Sequence, residues 1–431
     1  MTAEVGLLNK TAVALAADSA VTISSGSNRK IYQSANELFM LSKFHPVGIM
    51  IYGNANFMDI SWETIIKIYR DHLGTTEKPT LEDYAADFLQ FIENNHELFP
   101  EIQQQRYVRI FIHRLFESMK YLILEKFEEK DTGDEDVLKE IFDEIIDHFY
   151  KDYQGRESLE RIKGKAITSA AVNSYKKKYL NLVEETKKIV FEKYSISSEN
   201  NKKLESIAIQ FLYKNIFPSH SGIVIAGYGN VDVFPKLNSY IIEGISNNIL
   251  KFKKDRIISI DFSNTASVVP FAQSEMVYTF MEGIDPAYQN LFEKNVGLLL
   301  NMYSEMFVDF LKKNTTLDDK IIKKQLLDKN DQIIEKFINN LTKYRRQNYT
   351  DSIVGIVSVL PKDELAAMAE SLVNLTSFKR RVSSDDETVG GPIDVAVISK
   401  GDGLVWIKRK HYFESELNHH FFANYYRGCY E

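Results

Sequence analysis

Several common protein classes are excluded by what this chain has little of. It contains one cysteine among 431 residues, Cys429. No internal disulfide can form, and a reducing cytoplasm is the expected compartment. No apolar run approaches the roughly 18 residues that a membrane-spanning helix needs. The first residues carry Glu4 and no basic cluster, so a secretory leader is not expected. Lys and Arg are outnumbered by Asp and Glu, and the net charge of −7 gives no basis for general nucleic-acid binding. Nine histidines are scattered without a matching Cys/His series, so neither a metal nor a cofactor is expected. No phosphate loop of the G-x-x-x-x-G-K-[ST] type occurs, so an ATP-driven step would need another chain. What remains is ordinary for a globular protein: 44% hydrophobic and 26% charged residues, over a length suited to one to three domains.

The most informative stretch is the first. Methionine aminopeptidases usually trim a Met that precedes a residue as small as Thr2. Trimming would give Thr2 a free α-amine beside its hydroxyl, a nucleophile and a base on one residue; the amine titrates near ~7.7–8.0. Two apolar runs, Val5 to Leu8 and Ala12 to Ala17, flank Asn9-Lys10 and predict a hairpin. Asp18 follows where the second strand ends. Lys30 lies in a short strand-like run, Asn28 to Tyr32. The apolar run Val47 to Tyr52 predicts a buried strand that ends at Gly53, just ahead of a helical stripe over 60–73.

In this order, Thr2, Ala17-Asp18-Ser19, Lys30-Ile31 and Gly53 resemble the proteasome β subunit family and its bacterial peptidase relatives, the N-terminal-nucleophile hydrolases. Lys30 comes a few residues earlier than the family pattern has it. The resemblance implies an α+β fold, a four-layer αββα sandwich; it gives no account of the long helical patterns, which read as insertions. Residues 1–75, 218–285 and 350–431 would form the core, with 76–217 a helical insertion and 286–349 a second one. The recurrent 3–4 apolar spacing predicts the helices of the first insertion at 81–95, about 102–128, 135–152, 170–193 and 203–216. Two long helices are expected in the second.

The later parts of the pattern fall on Ser274 and Asp386. Ser274 stands just before a predicted helix, where the family has a catalytic-site Ser in a Gly-Ser-Gly turn, but the flanking glycines are missing. Ser274 also reads as a helix cap. Asp386 and Gly390-Gly391 match Asp-x-x-Ser/Thr-Gly-Gly, except that Val389 stands where the family has a hydroxyl and Thr388 comes one residue earlier. By resemblance, Thr2 would attack an amide carbonyl. Lys30 would lower the hydroxyl's pKa, and Asp18 would hold Lys30. The Gly53 N–H would stabilise the oxyanion, a contact worth ~2.7–4 kcal/mol in known cases. Ser274 and Asp386 would orient the amine, and Val21, Ile51 and Ala55 would line the substrate pocket.

The expected function is therefore a threonine-type peptidase or amide hydrolase acting through an acyl-enzyme on a peptide or protein. It would be a homo-oligomer served by a separate ATPase or regulator, with no nucleic-acid or membrane partner. Two alternatives stay open. One is an N-terminal-nucleophile amidase acting on a small amide. The other is an inactive scaffold that binds a partner through its helices.

Overall fold

The computed structural model describes residues 2–25, 28–32, 35–130, 134–314, 319–383 and 390–427. For 21–25, 28–32, 163, 165, 313–314, 319–320 and 424–427 it describes the backbone alone. Asp386, Thr388 and Val389 lie outside the described residues, and so does the side chain of Lys30.

The chain is α+β. It opens with β1 (Ala3–Asn9), β2 (Val13–Ala17), β3 (Val21–Ser25), β4 (Asn28–Tyr32), β5 (Leu38–Met40) and β6 (Val47–Gly53). A two-residue pair follows, β7 (Asn56–Phe57) and β8 (Ile60–Ser61). Then come α1 (Trp62–Leu73), α2 (Leu81–Asn94), α3 (Glu101–Glu129) and α4 (Glu135–Gly155). A second small pair, β9 (Glu160–Arg161) and β10 (Lys165–Ala166), precedes α5 (Ser169–Val190) and α6 (Ser198–Tyr213). Strands resume with β11 (Ser221–Gly227), β12 (Lys236–Ser246), β13 (Ile249–Ser259) and β14 (Ala266–Ala272). The rest is α7 (Glu275–Glu282), α8 (Pro286–Asn314), α9 (Asp319–Arg345), α10 (Asp351–Val357), α11 (Lys362–Val382), β15 (Asp394–Ser399), β16 (Gly403–Lys408) and α12 (His419–Arg427). Among the described residues no helix is long and apolar enough to cross a membrane.

The chain divides into two compact units. Residues 2–38 with 259–427 form one, and Phe39–Ile258 forms the other. The first holds a five-stranded antiparallel sheet in the order β14-β1-β2-β15-β16. The β1–β2 turn closes through the Asn9 side chain, whose Oδ1 accepts from Thr11 N (2.9 Å) and Ala12 N (3.2 Å). Strand residues alternate between faces. Ala3, Val5, Leu7, Ala14, Ala16, Val395 and Val397 share one core cluster with Leu365, Ala369, Leu372 and Val373 of α11 and Val277 of α7. The small side chains of β2 let α11 lie close to the sheet. The residues that alternate with these, Glu4, Leu8, Leu15, Ala17, Asp394 and Ile398, are buried too.

The second unit is built on the sheet β13-β12-β11-β6-β5. Ile49, Ile51, Ile223 and Ile225 of this sheet cluster with Trp62, Ile66 and Tyr69 of α1 and Tyr84 and Phe88 of α2. Helices α3 to α6 make a separate cluster around Phe116, Ile146, Tyr179 and Leu204. α1 starts on Ser61, whose side chain accepts from Thr64 N, and α2 starts on a Thr80–Asp83 capping box. A buried ion pair ties α6 to the sheet. Lys251 Nζ donates to Glu243 Oε2 (2.6 Å), Phe211 O (2.7 Å) and Ile216 O (2.6 Å).

Candidate active site

The first unit places the N-terminal residues between two strands. β1 pairs with β2 on one side (Glu4 opposite Ala17) and with β14 on the other (Ala3 opposite Ala272). Gln273 N donates to Thr2 O at 3.1 Å and carries the β14 pairing one residue further. Thr2 is therefore held as an extension of the strand and is only 3% exposed. Its hydroxyl donates to Glu37 Oε1 at 2.7 Å.

Asp18 organises the surrounding backbone. Its carboxylate accepts from Ala3 N at 2.9 Å and from Gly390 N at 2.7 Å, while its own N–H donates to Ala3 O at 3.1 Å. Ser19 continues the clamp: its N–H donates to Gly390 O at 3.2 Å and its hydroxyl to Pro392 O. The Ala17-Asp18-Ser19 stretch and the Gly390-Gly391 pair thus meet directly. Gly390 and Gly391 have φ of +154° and +81°, backbone angles that glycine adopts without penalty. Burial pushes the Asp18 carboxyl up to about 6, against the opposing pull of backbone N–H bonds from Ala3, Gly390 and Ala20.

Two further carboxylates complete the cluster. Glu4 sits on β1 two residues after Thr2, fully buried, and neither of its oxygens has a hydrogen-bond partner among the described residues. Glu37 Oε2 likewise has none among them. Burial, then the charges of Glu37 and Asp18, raise the Glu4 carboxyl well above its ordinary range. Burial and the Asp18 charge raise Glu37 in the same way, while the Thr2 hydroxyl and Lys410 pull it down. Asp394, opposite Ala17 on β15, is equally buried but compensated: Arg409 Nη1 reaches it at 2.7 Å and Lys410 Nζ at 3.0 Å. Among the described residues no group of three or more His, Cys, Asp or Glu is arranged to hold a metal ion.

The structure brings Thr2 and Asp18 together. Ser274 is close in the chain path, two residues past Ala272, and is the N-cap residue of α7, yet its side chain makes no capping bond. α11 holds this corner through Arg380, which donates to Gln273 Oε1 and to Glu275 Oε2 (3.1 Å). The Lys30 backbone lies in β4 opposite Ile23, and Val21 begins β3. Gly53, Ile51 and Ala55 belong to the second unit. Ile51 is in that unit's core cluster, and Ala55 is exposed. Gly53 ends β6 with φ +84°, and a Cβ there would meet His220 O at 2.7 Å. The cavity beside it, about 190 Å³, is lined by Asn54, Met58, Tyr107, Phe111, Arg114 and Glu243.

Glu4 and Glu37 were not singled out by sequence reasoning. A signal for Glu4 does exist, since it is an acidic residue inside an apolar strand pattern. Glu37 carries none, because its contact with Thr2 spans 35 residues. No protein-family model matches this sequence, and no curated protein does either.

Chemically, the site holds a threonine hydroxyl already bonded to a carboxylate. It is fixed from behind by a second carboxylate acting on the backbone and lies near a third that has no partner among the described residues. Such a hydroxyl has an acceptor for its proton in place.

Proposed function

We propose that this chain is an N-terminal-nucleophile hydrolase in which Thr2, freed by removal of Met1, attacks an amide carbonyl and forms an acyl-enzyme. The observation that carries this reading is the Thr2 hydroxyl bonded to Glu37 at the head of β1, with Asp18 gripping Ala3 N–H and Gly390 N–H. A nucleophile needs a fixed position and a proton acceptor. Asp18 contributes the first, since its bonds to the backbone on both sides set where residue 2 lies. The reading includes the four-layer sandwich as the arrangement of the whole chain, a peptide or protein as substrate, a cytoplasmic setting and a homo-oligomer supplied by a separate ATPase.

The test begins with the intact mass and N-terminal sequence of the protein from its natural host. Loss of Met1, with hydrolysis of fluorogenic peptides that disappears in Thr2→Ala, is the expected result. Retention of Met1 together with no turnover would defeat the reading. Turnover of small acyl-amides alone would instead indicate the amidase alternative. A scaffold without chemistry is the second reading, and one observation favours it: at 3% exposure, Thr2 offers a substrate little access.

A further inference from the structure

We infer that Glu37 is a catalytic residue of this site, the general base that takes the Thr2 hydroxyl proton during acylation and returns it to the leaving amine. The inference rests on the hydrolase reading above and assigns the proton transfer to a side chain rather than to the Thr2 amine alone.

The geometry is direct. Thr2 Oγ1 donates to Glu37 Oε1 at 2.7 Å, inside the roughly 2.6–3.2 Å reach that a base needs. Glu37 Oε2 accepts no hydrogen bond from the described residues, so the carboxylate is not fully engaged elsewhere. Asp18 is poorly placed for the task, because both its oxygens are occupied by the backbone N–H groups of Ala3 and Gly390. Among the described residues, the charged groups around Glu37 are Glu4 from β1, Asp18 after β2, and Lys410 beyond β16. Two of these are acidic and one is basic, and Lys410 already bonds Asp394. Burial beside other carboxylates raises a carboxyl's proton affinity, and a base works best when its pKa lies near the operating pH.

The step balances. Thr2 Oγ1 forms a bond to the carbonyl carbon as its proton passes to Glu37 Oε1. The tetrahedral intermediate then collapses, the C–N bond breaks, and the amine leaves with the proton from Glu37. In deacylation a water adds to the ester carbon, Glu37 takes a proton from that water, and Thr2 Oγ1 recovers it as the acid product departs. Glu37 ends as it began.

The test measures acylation of residue 2 by a β-lactone probe across pH 5 to 9, read as the mass added to the N-terminal peptide. The full-length protein is compared with its Glu37→Gln, Glu37→Asp and Thr2→Ala variants. Glutamine keeps the shape and an acceptor for the Thr2 hydroxyl but cannot take its proton. The expected result is a loss on the order of 10²–10⁴-fold in Glu37→Gln. The rise in rate with pH that Glu37 governs should vanish with it, and Glu37→Asp should restore part of both. Labelling in Glu37→Gln at the rate and pH dependence of the unaltered protein would overturn the inference and leave the hydrolase reading standing. Equal loss in the Gln and Asp variants, with the pH dependence unchanged in what remains, would show a structural role and overturn it too. If the unaltered protein takes no label that Thr2→Ala removes, both readings fall together.

Discussion

Replacing Glu4 with glutamine probes the electrostatics on which the candidate site depends. Glu4 is fully buried on β1, and neither oxygen has a partner among the described residues. Burial, Glu37 and Asp18 all favour its protonated form. A carboxyl raised in this way stabilises the fold fully only below its unfolded value, near ~4.3 for Glu. That contribution is lost as pH rises through the folded value. Asp18 sets the scale for the cluster: moving from 3.8 to about 6 corresponds to about 3 kcal/mol at 1.36 kcal/mol per unit. Glu4 lacks the backbone bonds that restrain Asp18. Glutamine resembles the protonated acid in size and polarity, so Glu4→Gln should be nearly neutral at pH 4. At pH 8 it should stabilise the protein by about 1–3 kcal/mol, the usual cost of an uncompensated buried polar group in mutational data. Urea denaturation of both proteins at pH 4, 5, 6, 7 and 8, with matched m-values, gives the difference directly. A difference that stays flat with pH, or a variant less stable at pH 8, would refute the reasoning. It would mean that the Glu4 charge is compensated in the folded state.

Two further outcomes test the second unit. Lys251→Met should cost about 3–5 kcal/mol, since it leaves Glu243 buried and unpaired and strips donors from Phe211 O and Ile216 O. Burial already pulls Lys251 down and pushes Glu243 up from their ordinary values. The double variant Lys251→Met/Glu243→Gln should therefore recover part of the loss in denaturant titrations; a single-variant cost under about 1 kcal/mol contradicts this account. Gly53→Ala should destabilise by about 1–3 kcal/mol, because φ is +84° and the added methyl meets His220 O at 2.7 Å. Thermal unfolding that is unchanged in this variant would mean that the strand end relaxes freely.

The local elements were readable from the sequence because their causes are local. The apolar runs Val5 to Leu8 and Ala12 to Ala17 predict a hairpin, and β1 and β2 form one, closed by the Asn9 side chain. The 3–4 spacing over 81–95 and 135–152 predicts helices that run Leu81–Asn94 and Glu135–Gly155. The apolar stripe Leu365, Met368, Ala369, Leu372, Val373 and Leu375 predicts a helix face that packs on the sheet; Leu365, Ala369, Leu372 and Val373 of α11 lie in the core cluster, with Met368 packed against it. Leu375, which a rotation of about 100° per residue places at the edge of that face, is instead 36% exposed.

Tertiary structure decided which residues meet. Asp18 and Gly390 are 372 positions apart, and no periodicity connects them. They join because β15 returns beside β2 and brings the glycine turn ahead of it against the end of that strand. Glu37, between β4 and β5, meets the Thr2 hydroxyl from 35 residues away, and Glu4 is buried on β1. Sequence pattern records which face of a strand or helix is apolar, since that follows from the repeat of the backbone. The burial and neighbours of a carboxylate depend on chain segments far away in sequence. Its proton affinity and its use as a base are therefore properties of the fold.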